Sequence, residues 1–261
     1  MPTGDLETWS ERLREVLELP RRAFIPLPDT QVIERPGWLQ LITPSLRQGG
    51  LNEVAYSALD EKEADTVIDE TIEVYRRLGL RFRWSVGPDS RPADLAERLE
   101  RRGLRRSETL GMIRGTAEAP ASPEGDVTVE QVDERTVEEY SRTMAEGWEM
   151  DDPAPILAFN RLVLADPNGR HRLFLARYRG APAGTAGLVA FERSVYLLGG
   201  VVLPAFRERG LYRALVTARL RFAAGRGIPF ATSHARASTS APLLERLGFE
   251  TLCRFPMFSN D

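Results

Sequence analysis

Two spacings of apolar residues alternate along the chain. Short runs rich in β-branched and aromatic residues, GWLQLITP (37–44), LNEVAYSAL (51–59) and SVYLLGGVVLP (194–204), read as strands. From Glu63 to Leu78, and from about Gly210 to Ala224, apolar residues recur at three- and four-residue steps, the mark of a helix with one buried face. In the second of these the face holds Leu211, Leu215, Val216, Leu220 and Phe222. Further helices are predicted over 92–104, 134–148, 154–165 and 241–249. Strands are predicted at DVTVEQV (126–132), IPFATS (228–233) and ETLCRFPMFS (250–259), with HRLFLARYRG and PAGTAGLVAFE as a hairpin around Gly180.

The pattern repeats. A shift of 148 residues lays Val67, Ile68 and Ile72 on Leu215, Val216 and Leu220, and Gly79–Phe82 on Gly227–Phe230. Each half then reads helix, glycine, short strand and a second helix that ends at a glycine, Gly103 or Gly248. GTAEAPASPEGD (115–126) interrupts the patterned segments and is the expected linker, giving domains over 1–120 and 126–261. Under the same shift, Arg207–Tyr212 falls on Leu59–Ala64, which is acidic and has no glycine. Carboxylates there would repel an anion that the later copy attracts.

Composition narrows the chemistry. The 261 residues, 42% hydrophobic, suffice for one large or two modest cores. MPTGDLETWSERLREV is charged and amphipathic, and no run reaches the roughly 18 apolar residues of a membrane span, so a soluble, cytoplasmic protein without a membrane partner is expected. A net charge of −3 argues against a nucleic-acid partner, with Arg101–Arg102 and Arg105–Arg106 read as solvated faces. One cysteine, Cys253, and two histidines exclude an internal disulfide and argue against a metal site. Lys62 is the only lysine, which removes Schiff-base and P-loop chemistry.

The junction PAFRERGLYRAL (204–215) carries the strongest chemical signal. It joins a buried strand to a helix, and a helix start presents N–H groups without intrahelical partners together with the positive end of the dipole. Gly210 allows close approach of an anion, and Arg207 and Arg209 add charge.

Over residues 126–261 the chain resembles the GNAT superfamily of acyl-CoA-dependent N-acetyltransferases. The resemblance runs through Val202-Leu203-Pro204, the loop Arg207-Glu208-Arg209-Gly210-Leu211-Tyr212, and Leu243-Leu-Glu-Arg-Leu-Gly248-Phe249. It implies an α/β (α+β) fold of two GNAT-like mixed-sheet halves with flanking helices, the C-terminal half complete and the N-terminal half degenerate. It also implies that amides from Glu208 to Arg213 bind the CoA pyrophosphate and that the main chain of Val201, Val202 and Leu203 pairs with the pantetheine arm. Tyr212 departs from the family's small last residue, so its ring must lie beside the donor or point into the core. Ser238 and Ser240 are either donor contacts or helix caps.

For catalysis the resemblance implies a carboxylate close to position 196 and a tyrosine at 244, where Tyr196 and Leu244 stand. Tyr196, with an ordinary pKa of about 10, is either a hydrogen-bond relay or an aromatic packed in the sheet. His234 has the right range for proton transfer or is a structural histidine. Trp148, Glu149, Asp151 and Asp152 lie where the family binds acceptors, and carboxylates beside an aromatic suit a cationic amine; a solvated acidic loop is the alternative. Cys253, in an apolar strand, reads as filler. The expected activity is acetyl transfer from acetyl-CoA to a small-molecule primary amine by direct attack in a ternary complex. The alternative is a catalytically silent acyl-CoA-binding or regulatory module. Nothing in the sequence fixes the oligomeric state.

Overall fold

A computed structural model describes residues 9–120, 125–166 and 169–260. Residues 1–8, with the start of the amphipathic N-terminus, and 121–124, within the expected linker, lie outside the described residues. In chain order the first elements are α1 (Trp9–Leu13), β1 (Gln31–Arg35), β2 (Trp38–Ile42), β3 (Glu53–Ser57), α2 (Ala64–Leu78), β4 (Arg83–Ser85), α3 (Leu95–Arg101) and β5 (Arg105–Gly115). They are followed by β6 (Val127–Gln131), α4 (Val137–Gly147), α5 (Ala154–Ala165), β7 (His171–Tyr178), β8 (Ala181–Ala190) and β9 (Ser194–Val202). The last are α6 (Leu211–Ala224), β10 (Phe230–Arg236), α7 (Ser240–Glu245) and β11 (Glu250–Ser259).

The chain divides into two units interleaved in sequence. One comprises residues 1–23, 112–234 and 242–252, the other 24–111, 235–241 and 253–261. Strands β5 and β11 contribute residues to both.

In the second unit β1 and β2 form a hairpin, β2 pairs antiparallel with β3, and β3 pairs parallel with β4 after the α2 crossover. Only glycine fits the β1–β2 turn: Gly37 has φ +77°, and a Cβ there would lie 2.5 Å from the Ala58 carbonyl oxygen. The end of β11 pairs antiparallel with β4, Met257 opposite Ser85. Ala64, Ile68, Thr71 and Tyr75 form the buried stripe of α2, at helical spacing. Ile68 and Tyr75 meet Trp38, Val54, Phe82, Trp84 and Phe258 in one core. The Tyr75 ring stacks on Phe82 at 4.2 Å and its hydroxyl donates to the Leu41 carbonyl at 2.6 Å. Burial therefore leaves no polar atom of Tyr75 unpaired. The arginines of α3 face the carboxylates of α2: Arg98 bonds Asp65 at 2.7 Å and Asp94 at 2.9 Å, and Arg102 bonds Asp69 at 2.5 Å. Arg106 pairs with Glu100 and Glu108. Arg98, Arg102 and Arg106 are each paired with carboxylates nearby.

In the first unit β6, β7, β8 and β9 are successively antiparallel, and β10 joins β9 in parallel after α6. The β7–β8 turn places Arg179 and Gly180 at φ +49° and +82°, the left-handed pair that suits a two-residue hairpin loop. The buried face of α6 includes Leu211, Leu215, Val216 and Leu220, as its spacing predicts, and also Arg219. Residues 9–22 continue α1 through a π-helical stretch, Arg14–Glu18, and a 3-10 turn, Pro20–Arg22. Glu15 is buried there, accepting from the Ser194 hydroxyl at 2.5 Å.

Helix ends that the repeat pairs close in the same way. Leu80 N–H bonds Tyr75 O, and Ile228 N–H bonds Ala223 O, each at 3.0 Å and 148 residues apart. Gly79 and Gly227 close these helix ends at φ +64° and +67°. The second helices end alike, with Leu104 N–H to Leu99 O and Phe249 N–H to Leu244 O, over Gly103 and Gly248 at φ +80° and +81°. The halves differ ahead of the first helix. Val54 opposes Trp84, thirty residues on, whereas Tyr196 opposes Thr232, thirty-six residues on. Since Trp84 and Thr232 are equivalent, the six additional residues lie between the paired strand and α6.

Candidate active site

Those six residues coincide with the end of the pairing between β9 and β10. Strands β9 and β10 pair from Ser194 opposite Phe230 to Leu197 opposite Ser233, although β9 runs on to Val202. The cause is visible on the other side of β9. Thr185 opposes Val201 but Gly187 opposes Leu198, so one residue too many is held in β9, and Gly199 takes φ +61°. Such a bulge bends its strand and releases main-chain groups from the ladder. Close packing fixes the place: a Cβ on Gly184 would lie 2.7 Å from the Val201 carbonyl oxygen, and one on Gly147 would lie 2.8 Å from the Val201 side chain. Val201, Val202 and Leu203, the residues expected to pair with a pantetheine arm, form the far end of this displaced segment.

The chain then turns through Pro204–Phe206 into α6. Gly210 occupies the N-cap at φ +81° and ψ 0°, and no side chain caps the helix. No atom lies within 4 Å of the position its Cβ would take, so glycine is needed here for backbone conformation rather than for internal space. Glu208 is left-handed as well, at φ +63°. Arg207, Glu208, Arg209, Gly210 and Arg213 are exposed, while Leu211 is buried. The first turn of α6 holds no acidic residue, so the N–H groups of Leu211, Tyr212 and Arg213 and the helix dipole are open to an external anion. Arg209 lies over the Tyr178 ring at 4.7 Å, which steadies its charge beside the loop. A helix start without a side-chain cap, two left-handed residues and three exposed arginines together make a locally cationic turn.

Tyr212 points inward. Its ring packs on Gly200, where a Cβ would stand 3.2 Å from Cε2, and burial pushes its phenol pKa up. A second glycine in the loop is unnecessary because Gly200, across the interface, makes the room. Beside this ring lies Arg219, 2% exposed. Its Nε bonds the Leu215 carbonyl at 3.0 Å, and one terminal nitrogen bonds the carbonyls of Gly187 at 3.0 Å and Leu198 at 3.4 Å. Burial pulls its pKa down to about 10, which leaves it charged at neutral pH.

Tyr196 and His234 come together, ring centroids 5.2 Å apart and edge to face. His234 Nε2 lies 2.7 Å from the Val16 carbonyl oxygen. A carbonyl only accepts, so Nε2 carries the hydrogen of this bond, and in the neutral tautomer the lone pair falls on Nδ1. Leu244 is buried and apolar. Ser240 opens α7 and accepts from the Arg236 N–H at 2.9 Å, while Ser238 is exposed. Cys253 is half-buried, and burial raises its pKa, which disfavours the nucleophilic thiolate.

The acidic segment follows directly on Gly147, the residue packed against Val201. Trp148 is 42% exposed, Glu149 is left-handed at φ +54°, and Glu149, Asp151 and Asp152 are exposed. Asp152 accepts from the Ala154 N–H at 2.8 Å, one residue ahead of Pro153, the N-cap of α5. Sequence reasoning missed Arg219, the Gly199–Gly200 bulge and the Val16 carbonyl. A glycine doublet inside an apolar strand, and an arginine on a helix's apolar stripe, are the signals for the first two. Val16 has none, because its partner is 218 positions away.

Among the described residues no cluster of three metal-binding side chains occurs, and no helix is long and apolar enough to cross a membrane. Comparison with curated proteins gives no match. Among solved structures the chain is similar to a functionally unknown conserved protein from Staphylococcus epidermidis, with 14% identity, TM-score 0.67, and coverage of 90% of this chain and 95% of that one. A GCN5-related N-acetyltransferase from Kribbella flavida matches at 17% identity and TM-score 0.60, covering 97% and 94%. A tandem GNAT protein from the clavulanic acid biosynthesis pathway matches at 13% identity and TM-score 0.58, covering 99% and 96%. At these identities the likeness speaks for the fold. A sequence model described as the acetyltransferase (GNAT) family matches residues 133–249, which take in the acidic loop, the bulge, the α6 start and both Tyr196 and His234. Residues 133–249 thus match the model of the acetyltransferase (GNAT) family, within a fold shared with GNAT N-acetyltransferases.

Proposed function

We propose that this protein is a cytoplasmic enzyme that transfers an acetyl group from acetyl-CoA to the primary amine of a small molecule, by direct attack in a ternary complex. The observation that carries the reading is the parting of β9 from β10 beside an uncapped helix start. The thioester supplies the activated acyl carbon, and the chain's own residues bind and move protons. Amides from Glu208 to Arg213 hold the pyrophosphate, with Arg207, Arg209 and Arg213 adding charge. The main chain of Val201–Leu203, freed from β10, pairs with the pantetheine arm. Trp148, Glu149, Asp151 and Asp152 receive the cationic amine. His234 Nδ1 takes the amine's proton, with Tyr196 ordering the ring and relaying through its hydroxyl. Direct attack is favoured over an acyl-enzyme because the single cysteine is half-buried with a raised pKa.

One observation favours a second reading, a silent acyl-CoA-binding module: Leu244 is buried and apolar where a thiolate-protonating tyrosine is expected. Incubation with acetyl-CoA and a panel of small amines, following free thiol, separates the two. Thiol release that depends on one class of amine and is lost in His234→Gln supports the enzyme. Tight CoA binding with no amine-dependent thiol across the panel supports the silent module.

A further inference from the structure

Arg219 is a buried charged side chain in the first unit. Its guanidinium is buried, pairs with no carboxylate among the described residues, and is satisfied only by backbone oxygens. A lone buried cation is retained only where something compensates for its desolvation. Two of its three acceptors, the carbonyls of Gly187 and Leu198, belong to residues facing each other across β8 and β9 at the edge of the bulge. The Leu198 carbonyl shares its peptide unit with the Gly199 N–H, and in a trans peptide these groups point in opposite directions. A cation at the oxygen end draws electron density from the nitrogen end and makes that N–H a stronger donor. The Gly199 N–H therefore points away from Arg219, one residue beyond Leu198 and at the place where β9 has left β10.

We propose that Arg219 is a positioning residue for acyl transfer: it fixes the bulge and polarises the Leu198–Gly199 peptide, so that the Gly199 N–H stabilises negative charge developing on the thioester oxygen. The inference rests on the acyl-CoA reading above. Arg219 touches neither the donor nor the acceptor. Its positive charge reaches the opening only through the intervening peptide, which keeps the cation dry and the donor fixed.

The test uses the full-length protein and acetyl-CoA labelled with carbon-13 at the carbonyl, with no acceptor needed. Infrared difference spectra should show the bound carbonyl stretch displaced to lower frequency than in free acetyl-CoA. Arg219→Gln keeps a donor to the backbone oxygens but removes the charge, and should bring the stretch most of the way back while CoA affinity changes less than about threefold. Arg219→Lys, which keeps the charge, should restore the displacement. Once an acceptor is found, Arg219→Gln should lower kcat about tenfold with KM for the donor little changed. An undisplaced carbonyl in the wild-type complex, or the same displacement in Arg219→Gln, overturns the proposal, and Arg219→Met, which also removes the charge, serves where Arg219→Gln does not fold. Absence of any acetyl-CoA binding defeats the acyl-CoA reading itself, whereas binding with an undisplaced carbonyl defeats only the role of Arg219.

Discussion

Replacing Gly210 by aspartate tests the anion site while sparing the fold. The backbone there is left-handed at φ +81° with no atom within 4 Å of a Cβ, so a side chain meets strain but no clash. That strain costs about 1 kcal/mol for an ordinary residue and less for Asp, which tolerates the region. A negative charge at a helix N-terminus returns about 0.3–1 kcal/mol, so the two effects nearly cancel in stability. Binding is different. A carboxylate about 5 Å from one phosphate charge, at an effective dielectric of about 40, repels it by about 1.7 kcal/mol, close to a twentyfold rise in Kd. Gly210→Asn has the same shape without the charge and should lose much less. Titration calorimetry with CoA at low and high salt measures the difference, which should shrink as salt screens it. Wild-type affinity in a Gly210→Asp protein whose melting temperature has moved by less than about 4 °C would refute the assignment of the loop.

Other outcomes follow from features of each unit. Gly79→Ala and Gly227→Ala should each lower stability by about 1 kcal/mol, equally within error, because both residues close a helix at nearly the same left-handed angle; urea melts check this, and a neutral result at either position contradicts the shared closure. Tyr212→Ala should cost about 3 kcal/mol by emptying the space over Gly200, whereas Tyr212→Phe should leave CoA affinity unchanged; a large affinity loss in the phenylalanine variant would place the hydroxyl at the donor instead. His171 is 7% exposed, and burial holds its pKa below the usual 6.5, with Asp166 3.9 Å away opposing that shift. The unfolded chain thus binds a proton at a higher pH than the folded one, so this contribution to stability is complete above about pH 6.5 and falls as the pH drops toward the folded value. Denaturant melts from pH 8 to pH 5 should show a slope that His171→Gln reduces, and an identical slope in the variant would refute this.

How much of this could be read in advance depends on how local each feature is. α5 matches its predicted bounds, and α2 and α6 begin within a residue of theirs, because a buried stripe and a closing glycine both lie in the helix's own sequence. Strand β1 went unread because all of its residues are exposed, so QVIER shows no contrast between buried and solvated positions. Strand β5 was hidden because its first half, RRSE, is exposed and resembles a solvated arginine face. At the site, the loop was legible because a strand end, a glycine and a helix start are neighbours in sequence. The parting of the strands was not, since it arises from a mismatch between β8 and β9. The inward turn of Tyr212 required Gly200, and the tautomer of His234 required Val16, and neither pairing leaves a trace at short range.

The two helix starts, compared at last as places where a chain can be finished, diverge in what they lack. Ahead of α2, Asp60 accepts from the Lys62 N–H at 2.9 Å, and the first turn contains Asp65, so that segment carries its own counter-charge. The start of α6 has no acidic residue in its first turn, and neither helix has a side-chain cap. An anion seated there would do for α6 what aspartates do for α2, becoming the last piece of the helix as well as a guest. Occupancy and folding would then be one equilibrium.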